Sequence, residues 1–279
     1  MVTIPSKGEL AILYGGPNLV YLIRLDGDSA IQTARGIVSS KDCIGKPFGT
    51  KISVGKSGNW FVLLPPFPGL VTLGLVHHTQ ILYRCDIAFI ALLLDVKPGD
   101  VVVESGTGSG SMSYSLSCLV SPGGTLHSFE YHKQRSEDAR ALCDALKQDC
   151  LKIYNRDVVQ DGFIIPNVLD MNGADSAFLD LPSPWNAISH VHDILKPLGR
   201  CVNFSPCIEQ VQRVVISFKM KNFEDIRTFE VVCKPWGVKV CGKINSYQIP
   251  YYSHTGYITV ATKSPVKPST CAITAKITT

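Results

Sequence analysis

The stretch VVVESGTGSGSMS at residues 101–113 constrains the fold more than any other part of the sequence. Three valines lead into Glu104, and a loop that contains Gly106, Gly108 and Gly110 follows. Because glycine tolerates sharp turns and lets the backbone approach a ligand closely, this pattern predicts a buried strand, a tight turn and a helix. The amino end of such a helix offers free N–H groups and a positive dipole end, so we expect a nucleotide-like cofactor there.

The spacing of the glycines narrows the choice of cofactor. Dinucleotide dehydrogenases use G-x-G-x-x-G, whereas Ser111 stands here where the third glycine or alanine of that motif belongs. The E-x-G-x-G-x-G turn is instead similar to motif I of class I S-adenosylmethionine-dependent methyltransferases, in which the loop wraps the methionine part of the cofactor. An ordinary flexible turn is the alternative. On this resemblance we predict that the cofactor is bound by Glu104, Gly106, Gly108, Ser109, Gly110 and Ser111.

A second acid follows at a suitable distance. Residues Thr125–Tyr131 read as a short strand, and Glu130 lies near its end, twenty residues after Gly110. In Rossmann-like sheets, an acid at the end of the second strand accepts hydrogen bonds from ribose hydroxyls. We therefore predict that Glu130 binds the cofactor, the alternative being a solvated acid at a strand end.

Composition limits the classes of protein to consider. The chain has 279 residues, of which 45% are hydrophobic and 18% charged, so it can bury a sizeable core. No segment approaches the roughly 20 apolar residues of a membrane span, and we expect no membrane association. Ten cysteines include no C-x-x-C pair and lie within apolar runs, which predicts reduced, buried thiols and no metal site.

The chain divides into two parts by pattern. Residues 1–75 hold short strand-like runs separated by glycine, proline and asparagine clusters, which predicts a small β-sandwich or barrel. Residues 76–263 alternate strands and helices, which predicts a mainly parallel sheet with helices on both faces and an antiparallel edge. Residues 264–279 are polar and are expected to form a loose tail. The fold class is therefore α/β: a Rossmann-like class I methyltransferase domain with a small N-terminal β domain.

The individual elements follow from the same reading. The N-terminal part has strand-like runs at 10–13, 19–25, 30–38, 51–54 and 60–64. The second part has predicted strands at 101–104, 125–131, 151–154, 175–179, 201–204, 227–233 and 256–262. Its predicted helices cover 86–94, 111–120, 133–148, 185–195 and 208–222, and a turn is expected at 196–199.

A third acid stands at the carboxyl end of a predicted strand. The segment FLDLPSPW at 178–185 places Asp180 where open α/β sheets bind their ligands. A carboxylate beside a base can accept a hydrogen bond from an exocyclic amine, and a neighbouring proline or aromatic ring can stack on the base. The alternative is that Asp180 caps a helix that starts near Trp185. The segment SPCIEQ at 205–210 ends the next strand and is expected to line the same cleft.

Long segments of the chain resemble one family, the catalytic subunit of the eukaryotic tRNA (adenine-58-N1)-methyltransferase. The resemblance covers nearly the whole chain, with differences such as the proline in YGGPN at 14–18 and a short connection at 243–253. It is carried by HHTQILYRCDIAFI (77–90), ESGTGSGS (104–111), FEYHKQRSEDAR (129–140), FLDLPSPW (178–185), FSPCIEQVQR (204–213) and HTGYITVATK (254–263).

The resemblance implies an activity and a set of residues. Proteins of this family transfer a methyl group from S-adenosyl-L-methionine to N1 of an adenine in the T-loop of tRNA. The catalytic aspartate of the family falls on Asp180, which would also touch the cofactor. The implied cofactor residues are Leu82, Ser109, Gly110, Ser111, Glu130, Arg135, Asp157 and Val158. The implied RNA contacts are Gly15, Gly16, Thr33, Arg35, Asn59, Trp60, Gln80, Ile81, Leu82, Tyr83, Arg84, Ser205, Pro206, Cys207, Ile208, Gly256 and Tyr257.

The same resemblance implies partners and a location. A net charge of +4 is low for an RNA that needs many phosphate contacts. The family solves this with a non-catalytic partner subunit in a two-plus-two heterotetramer, and it acts in the nucleus. We therefore expect the isolated chain to bind tRNA weakly and to be nearly inactive. Two alternatives stay open: a methyltransferase with another acceptor, such as isoaspartate in proteins, and a non-catalytic RNA-binding paralogue.

Overall fold

Two β-sheets organise the chain. The computed structural model describes residues 3–55, 58–75, 82–241, 243–248 and 253–265, so most of the predicted tail at 264–279 lies outside the described residues. Among the described residues, no helix is both long enough and apolar enough to cross a membrane.

The first sheet is antiparallel and lies within the N-terminal part of the chain. Its strand order is β2-β1-β6-β5, and its buried face packs around Ile23, Ile52 and Phe61. A separate hairpin, β3–β4, replaces the single strand expected at 30–38. The Thr33 hydroxyl closes its turn, because it accepts the Arg35 N–H and donates to the Gly36 carbonyl. The strands are β1 (Leu10–Gly16), β2 (Leu19–Arg24), β3 (Ala30–Thr33), β4 (Gly36–Ser39), β5 (Lys51–Val54) and β6 (Asn59–Leu64).

The second sheet has seven strands in the order β12-β15-β11-β10-β7-β8-β9. Strands β7 to β11 are parallel, whereas β15 is antiparallel to both β11 and β12, which confirms the expected mainly parallel sheet with an antiparallel edge. The strands are β7 (Val101–Ser105), β8 (Thr125–Glu130), β9 (Leu151–Asn155), β10 (Ala174–Leu179), β11 (Leu195–Ser205), β12 (Phe223–Phe229) and β15 (Tyr257–Lys263). Along the chain, a separate hairpin of β13 (Trp236–Cys241) and β14 (Lys243–Gln248) follows β12 and precedes β15.

Helices cover both faces of the second sheet. Successive residues of β7 point to opposite faces, so Val102 packs with Leu116 and Ala139 on one side, whereas Val103 packs with Val191 and Val214 on the other. The helices are α1 (Pro68–Gly74), α2 (Arg84–Leu94), α3 (Ser111–Val120), α4 (Lys133–Ala145), α5 (Val158–Asp161), α6 (Ile188–Ile194) and α7 (Ile208–Met220).

Some elements differ from the expectation. The turn expected at 196–199 lies within β11, whose register against β10 is irregular at that point, and α1, α5 and the hairpin β13–β14 were not predicted. The helix expected at 185–195 is divided into a short 3-10 turn at Pro184–Asn186 and α6. The expectation that the cysteines are buried is wrong for Cys85 and Cys233, whose side chains are exposed.

Candidate active site

A cavity of about 650 Å³ opens at the carboxyl end of the seven-stranded sheet. It lies where β10, β7 and β8 end, and the first residues of α3 and α7 face it. The residues of the predicted cofactor site that line this cavity are Leu82, Gly106, Gly108, Ser109, Ser111, Glu130, Arg135, Asp157, Val158 and Asp180.

The glycine loop is shaped by a close approach between two strand ends. Gly106 has φ +94°, and a Cβ atom on it would lie 2.0 Å from the carbonyl oxygen of Asp180. The Asp180 N–H donates to the Ser105 carbonyl at 2.9 Å, which ties the end of β10 to the end of β7. Glycine is therefore required at position 106, because any side chain would push Asp180 out of its place.

Glu130 joins the loop to the start of α4. One carboxylate oxygen accepts the Gly108 N–H at 3.0 Å, and the other accepts the His132 N–H at 2.9 Å. The Arg135 Nε atom lies 3.3 Å from the second oxygen. Since a carboxylate can accept about four hydrogen bonds, capacity remains for ribose hydroxyls at this position.

Asp180 is partly buried at the cavity wall. Burial raises the pKa of its carboxyl group to about 6. The alternative that Asp180 caps a helix is wrong, because the 3-10 turn at Pro184–Asn186 follows Ser183 and no side chain caps it. The helix cap in this region belongs instead to Asp157, whose carboxylate accepts the Val159 N–H at the start of α5.

Two of the predicted cofactor residues do not line the cavity. The Glu104 side chain is fully buried behind the loop, where one of its oxygens accepts the hydroxyls of Ser113 and Ser128, each at 2.6 Å. Burial raises its pKa to about 7, although the two serine hydrogen bonds oppose that shift. Gly110 has φ +80° and caps the amino end of α3, with Leu142 packed against it.

Several of the predicted RNA contacts meet on the N-terminal part of the chain. The Arg35 guanidinium donates to the carbonyls of Trp60 at 2.5 Å and Gly15 at 3.0 Å, and it lies over the Phe61 ring. The Trp60 ring is exposed, with the Lys51 ammonium 4.4 Å from its centroid. Thr33 is buried at the hairpin turn, Gly16 ends β1, and Asn59 begins β6.

Other predicted RNA contacts surround the cavity mouth. Pro206 lines the cavity, Cys207 precedes α7, and Ile208 is exposed at its start. Ser205 pairs with Tyr257 across β11 and β15, and Gly256 lies against the Phe204 ring. Leu82 lines the cavity, Tyr83 precedes α2, and Arg84 begins it. Gln80 and Ile81 lie outside the described residues.

The cavity also has lining residues that the sequence analysis did not single out. They come from the loop itself, from the first residues after β8 and β9, and from the 3-10 turn at Pro184–Asn186, where a polar side chain carries no distinctive spacing. Their only signal in the sequence is that they lie close to a residue predicted to belong to the site. They include Thr107, His132, Arg156 and Asn186, whereas Gln210 belongs to the segment 205–210 that the sequence predicts to line the cleft.

The strand order, the glycine loop, Glu130 and the cavity define a class I S-adenosylmethionine-dependent methyltransferase. A solved S-adenosylmethionine-dependent O-methyltransferase from Thermotoga maritima has a TM-score of 0.81 and 27% identity, covering 95% of this chain and 96% of that one. The chain belongs to the family described as the tRNA methyltransferase complex GCD14 subunit, which it matches over residues 59–252.

Similar proteins agree with this family and confirm the resemblance identified from the sequence. Three are named tRNA (adenine(58)-N(1))-methyltransferase catalytic subunits. The Candida albicans protein is 36% identical over 237 residues, which are 84% of this chain and 70% of that protein. The Cryptococcus neoformans protein is 38% identical over 232 residues, 82% and 52% of the two chains. The Dictyostelium discoideum protein is 32% identical over 239 residues, 85% and 76% of the two chains.

A further solved structure shares the fold. The tRNA (m1A58) methyltransferase TrmI from Aquifex aeolicus has a TM-score of 0.75 and 23% identity. The likeness covers 95% of this chain and all of that one, so the N-terminal sheet and the seven-stranded sheet are both included.

Proposed function

We propose that this chain is the catalytic subunit of a tRNA (adenine-58-N1)-methyltransferase that uses S-adenosyl-L-methionine. The observation that carries the proposal is the position of Asp180. It lies at the end of β10, in contact with the glycine loop that ends β7, and it faces the same cavity as Glu130 at the end of β8. The glycine loop and Glu130 can thus hold an adenosyl group while the Asp180 carboxylate contacts the acceptor adenine.

The residues of the cavity fit this cofactor. Small-molecule sites commonly enclose about 300–1,000 Å³, and this cavity falls within that range. The open backbone of the glycine loop suits the methionine part, and Glu130 suits the ribose hydroxyls. When bound, the cofactor supplies a sulfonium-activated methyl group.

Asp180 has two tasks in the proposed reaction. As a carboxylate it accepts a hydrogen bond from the N6 amine of adenine, which fixes the base, and it stabilises the positive charge that develops on the ring. The bound cofactor would supply the methyl group to N1, and Asp180 would hold the base in position for that transfer. N1 of adenine has no proton to lose, so positioning is the main requirement of the step.

The substrate must reach this cavity as an unstacked base. The target adenine lies in a folded T-loop, so it has to leave its stack before it can meet Asp180. Pro206 and Leu82 at the cavity wall, together with the exposed Trp60 and Lys51, form candidate contacts for a shape-reading RNA surface.

The proposal extends to assembly and location. The low net charge of +4 supports a requirement for a non-catalytic partner subunit, and we propose a two-plus-two heterotetramer. We also propose a nuclear location, which imaging of the tagged chain in cells would test.

The decisive experiment maps methylated adenines on tRNA. The full chain is incubated with S-adenosylmethionine and tRNA, with and without the partner subunit, and the product is read by mass spectrometry. Methyl on N1 of adenine 58, dependent on the partner, is expected. A tRNA with guanine at that position is the control substrate. Methyl transfer to a damaged peptide instead of tRNA, or cofactor binding without transfer to either acceptor, would overturn the proposal.

A further inference from the structure

Glu104 is a buried carboxyl group that the proposed reaction does not use. Its side chain is fully buried beneath the glycine loop. Oε2 accepts hydroxyl hydrogen bonds from Ser113 on α3 and Ser128 on β8. Oε1 is buried and has no hydrogen-bond partner among the described residues. A carboxylate in this position is poorly solvated, because half of its accepting capacity is unused.

The charged groups that face Glu104 are also acidic. Asp180, after β10, and Glu130, at the end of β8, both act on it as negative charges. Its other neighbours include the hydroxyls of Ser113 and Ser128 and, on β10, the apolar Phe178. Among the ion pairs of the described residues, none includes Glu104, and the nearby Arg135 pairs with Glu130. Glu104 therefore lacks a positive partner of its own.

A chain of hydroxyls connects Glu104 with the cavity. Ser128 uses its proton in the bond to Glu104, so its oxygen accepts from the Thr107 hydroxyl, which lies 2.6 Å away. Thr107 lines the cavity wall. Two hydroxyl groups thus separate the buried carboxyl from the space where a ligand binds, and such a chain can pass a proton in either direction.

We propose that Glu104 holds a proton while the cavity is free of cationic ligand, and releases it along Ser128 and Thr107 when the positively charged cofactor binds. The O–H bond of the Glu104 carboxyl group breaks, the proton passes to solvent, and the carboxylate that remains becomes the counterion of the bound cation. The inference rests on the proposed function, because it takes S-adenosylmethionine as the ligand.

The direction of the effect follows from electrostatics. Burial raises the pKa of Glu104 to about 7 in the ligand-free protein, and a cation in the cavity lowers that pKa because it favours the carboxylate. Near pH 7, the ligand-free protein therefore carries roughly half a proton on this group, and binding expels it. Affinity for the cofactor is expected to rise with pH up to about 7, and this contribution then levels off.

Calorimetry in buffers of different ionisation enthalpy measures the proton directly. S-adenosylmethionine is titrated into the full chain at pH 7, and the number of protons released is the slope of heat against buffer enthalpy. The amine of the cofactor itself titrates near pH 8, as α-amino groups do, so the readout is the difference between wild type and Glu104→Gln. Wild type is expected to release roughly half a proton more than Glu104→Gln. An equal proton count in both proteins would overturn the inference.

Matched controls assign the proton. Glu137→Gln changes an exposed acid on α4 in the same way and is expected to leave the count unchanged. The neutral 5′-methylthioadenosine, which lacks both the sulfonium and the amine, is expected to bind without proton release. Release with this ligand that matches the release with S-adenosylmethionine would contradict the mechanism.

A second variant keeps the test valid if Glu104→Gln folds poorly. Ser113→Ala removes a hydroxyl that stabilises the carboxylate but leaves the Ser128–Thr107 chain intact, so it raises the pKa of Glu104 further and shifts the pH of half-maximal release upward. At pH 8 this variant is expected to release more protons than wild type, and no upward shift would overturn the inference. If wild type binds S-adenosylmethionine but releases the same number of protons as the variants, this inference alone is refuted. If wild type does not bind S-adenosylmethionine at all, the proposed cofactor is refuted as well.

Discussion

Charged groups have different surroundings in the cavity and in the N-terminal patch, which is formed by Trp60 and Lys51. At the cavity, Glu104 and Glu130 are buried and Asp180 is partly so, and the pKa values of Glu104 and Asp180 are raised. At the patch, the Lys51 ammonium and the Trp60 ring stand in solvent. Water and salt screen an exposed charge, whereas a desolvated charge acts at full strength on its neighbours. Changes at the cavity should therefore affect catalysis strongly, and changes at the patch should weaken RNA binding moderately.

The largest effect is expected for Asp180→Asn. An amide cannot supply the negative charge that stabilises the methylated ring, so kcat should fall roughly 10²–10⁴-fold. The dissociation constant for S-adenosylmethionine should change little. In wild type, kcat/KM should decline as pH falls through about 6, because the protonated carboxyl group of the free enzyme no longer accepts the hydrogen bond. Asp193→Asn, at a more exposed acid, is the control. A normal rate for Asp180→Asn would remove its proposed role.

Gly106→Ala should have the next largest effect, on cofactor binding. Its Cβ atom would lie 2.0 Å from the Asp180 carbonyl oxygen, so the loop or the end of β10 must shift. We expect affinity for S-adenosylmethionine to fall at least about tenfold, since more than 1.4 kcal/mol is needed to relieve such a clash.

Gly99→Ala isolates the steric cause. Gly99 has φ +95°, nearly that of Gly106, but a Cβ atom on it meets nothing within 4 Å. Both variants place a side chain at a similar positive φ, and calorimetry of each compares their affinities for S-adenosylmethionine. Equal losses of affinity in the two would show that the contact with Asp180 is unimportant.

A smaller effect is expected at the N-terminal patch. Stacking of a base on an aromatic ring contributes about 1–3 kcal/mol, so Trp60→Ala should weaken tRNA binding by the complete enzyme roughly fivefold or more. Cofactor affinity should stay unchanged. Trp236→Ala removes another exposed tryptophan and serves as the control. Filter binding at several salt concentrations measures the effect, and equal losses for the two variants would refute a specific contact at Trp60.

The smallest effect concerns the stability of the ligand-free protein. The pKa of Glu104 is raised from 4.5 to about 7 on folding, so its protonated form stabilises the fold below pH 7 and this contribution is lost as pH rises through 7. Between pH 6 and pH 8 the loss should be about 1 kcal/mol, or roughly 2–4 °C in Tm. Glu104→Gln should show a Tm decline between these pH values that is smaller by this amount. An identical decline in both proteins would contradict the shift.

The glycine loop shows how much of the site could be predicted from sequence. The order of strand, glycines and helix is local, so the loop, α3 and the acid at the end of β8 were found at their positions. Alternation along β7 held a further signal. Glu104 shares a face with Val102, which packs beneath α3, so its side chain points behind the loop rather than into the cavity.

The hairpin β3–β4 shows what local pattern cannot supply. Its residues read as one strand, because the turn at Ala34 and Arg35 contains no glycine or proline at its centre. The structure closes it with the Thr33 hydroxyl and so brings Arg35 onto the carbonyls of Gly15 and Trp60. These contacts join three distant segments, and only the packing of the first sheet decides them.

The sequence by itself determined the class of sheet, the glycine loop and the two acids that follow strands, because parallel strands carry their ligands at one edge and that edge is readable from residue order. Tertiary structure alone decided how far each carboxyl group is desolvated: Asp180 is partly exposed, Glu130 is hydrogen-bonded and Glu104 is fully buried. The physical reason is desolvation. It depends on what surrounds each carboxyl group in space, and it gives three similar side chains three different electrostatic roles.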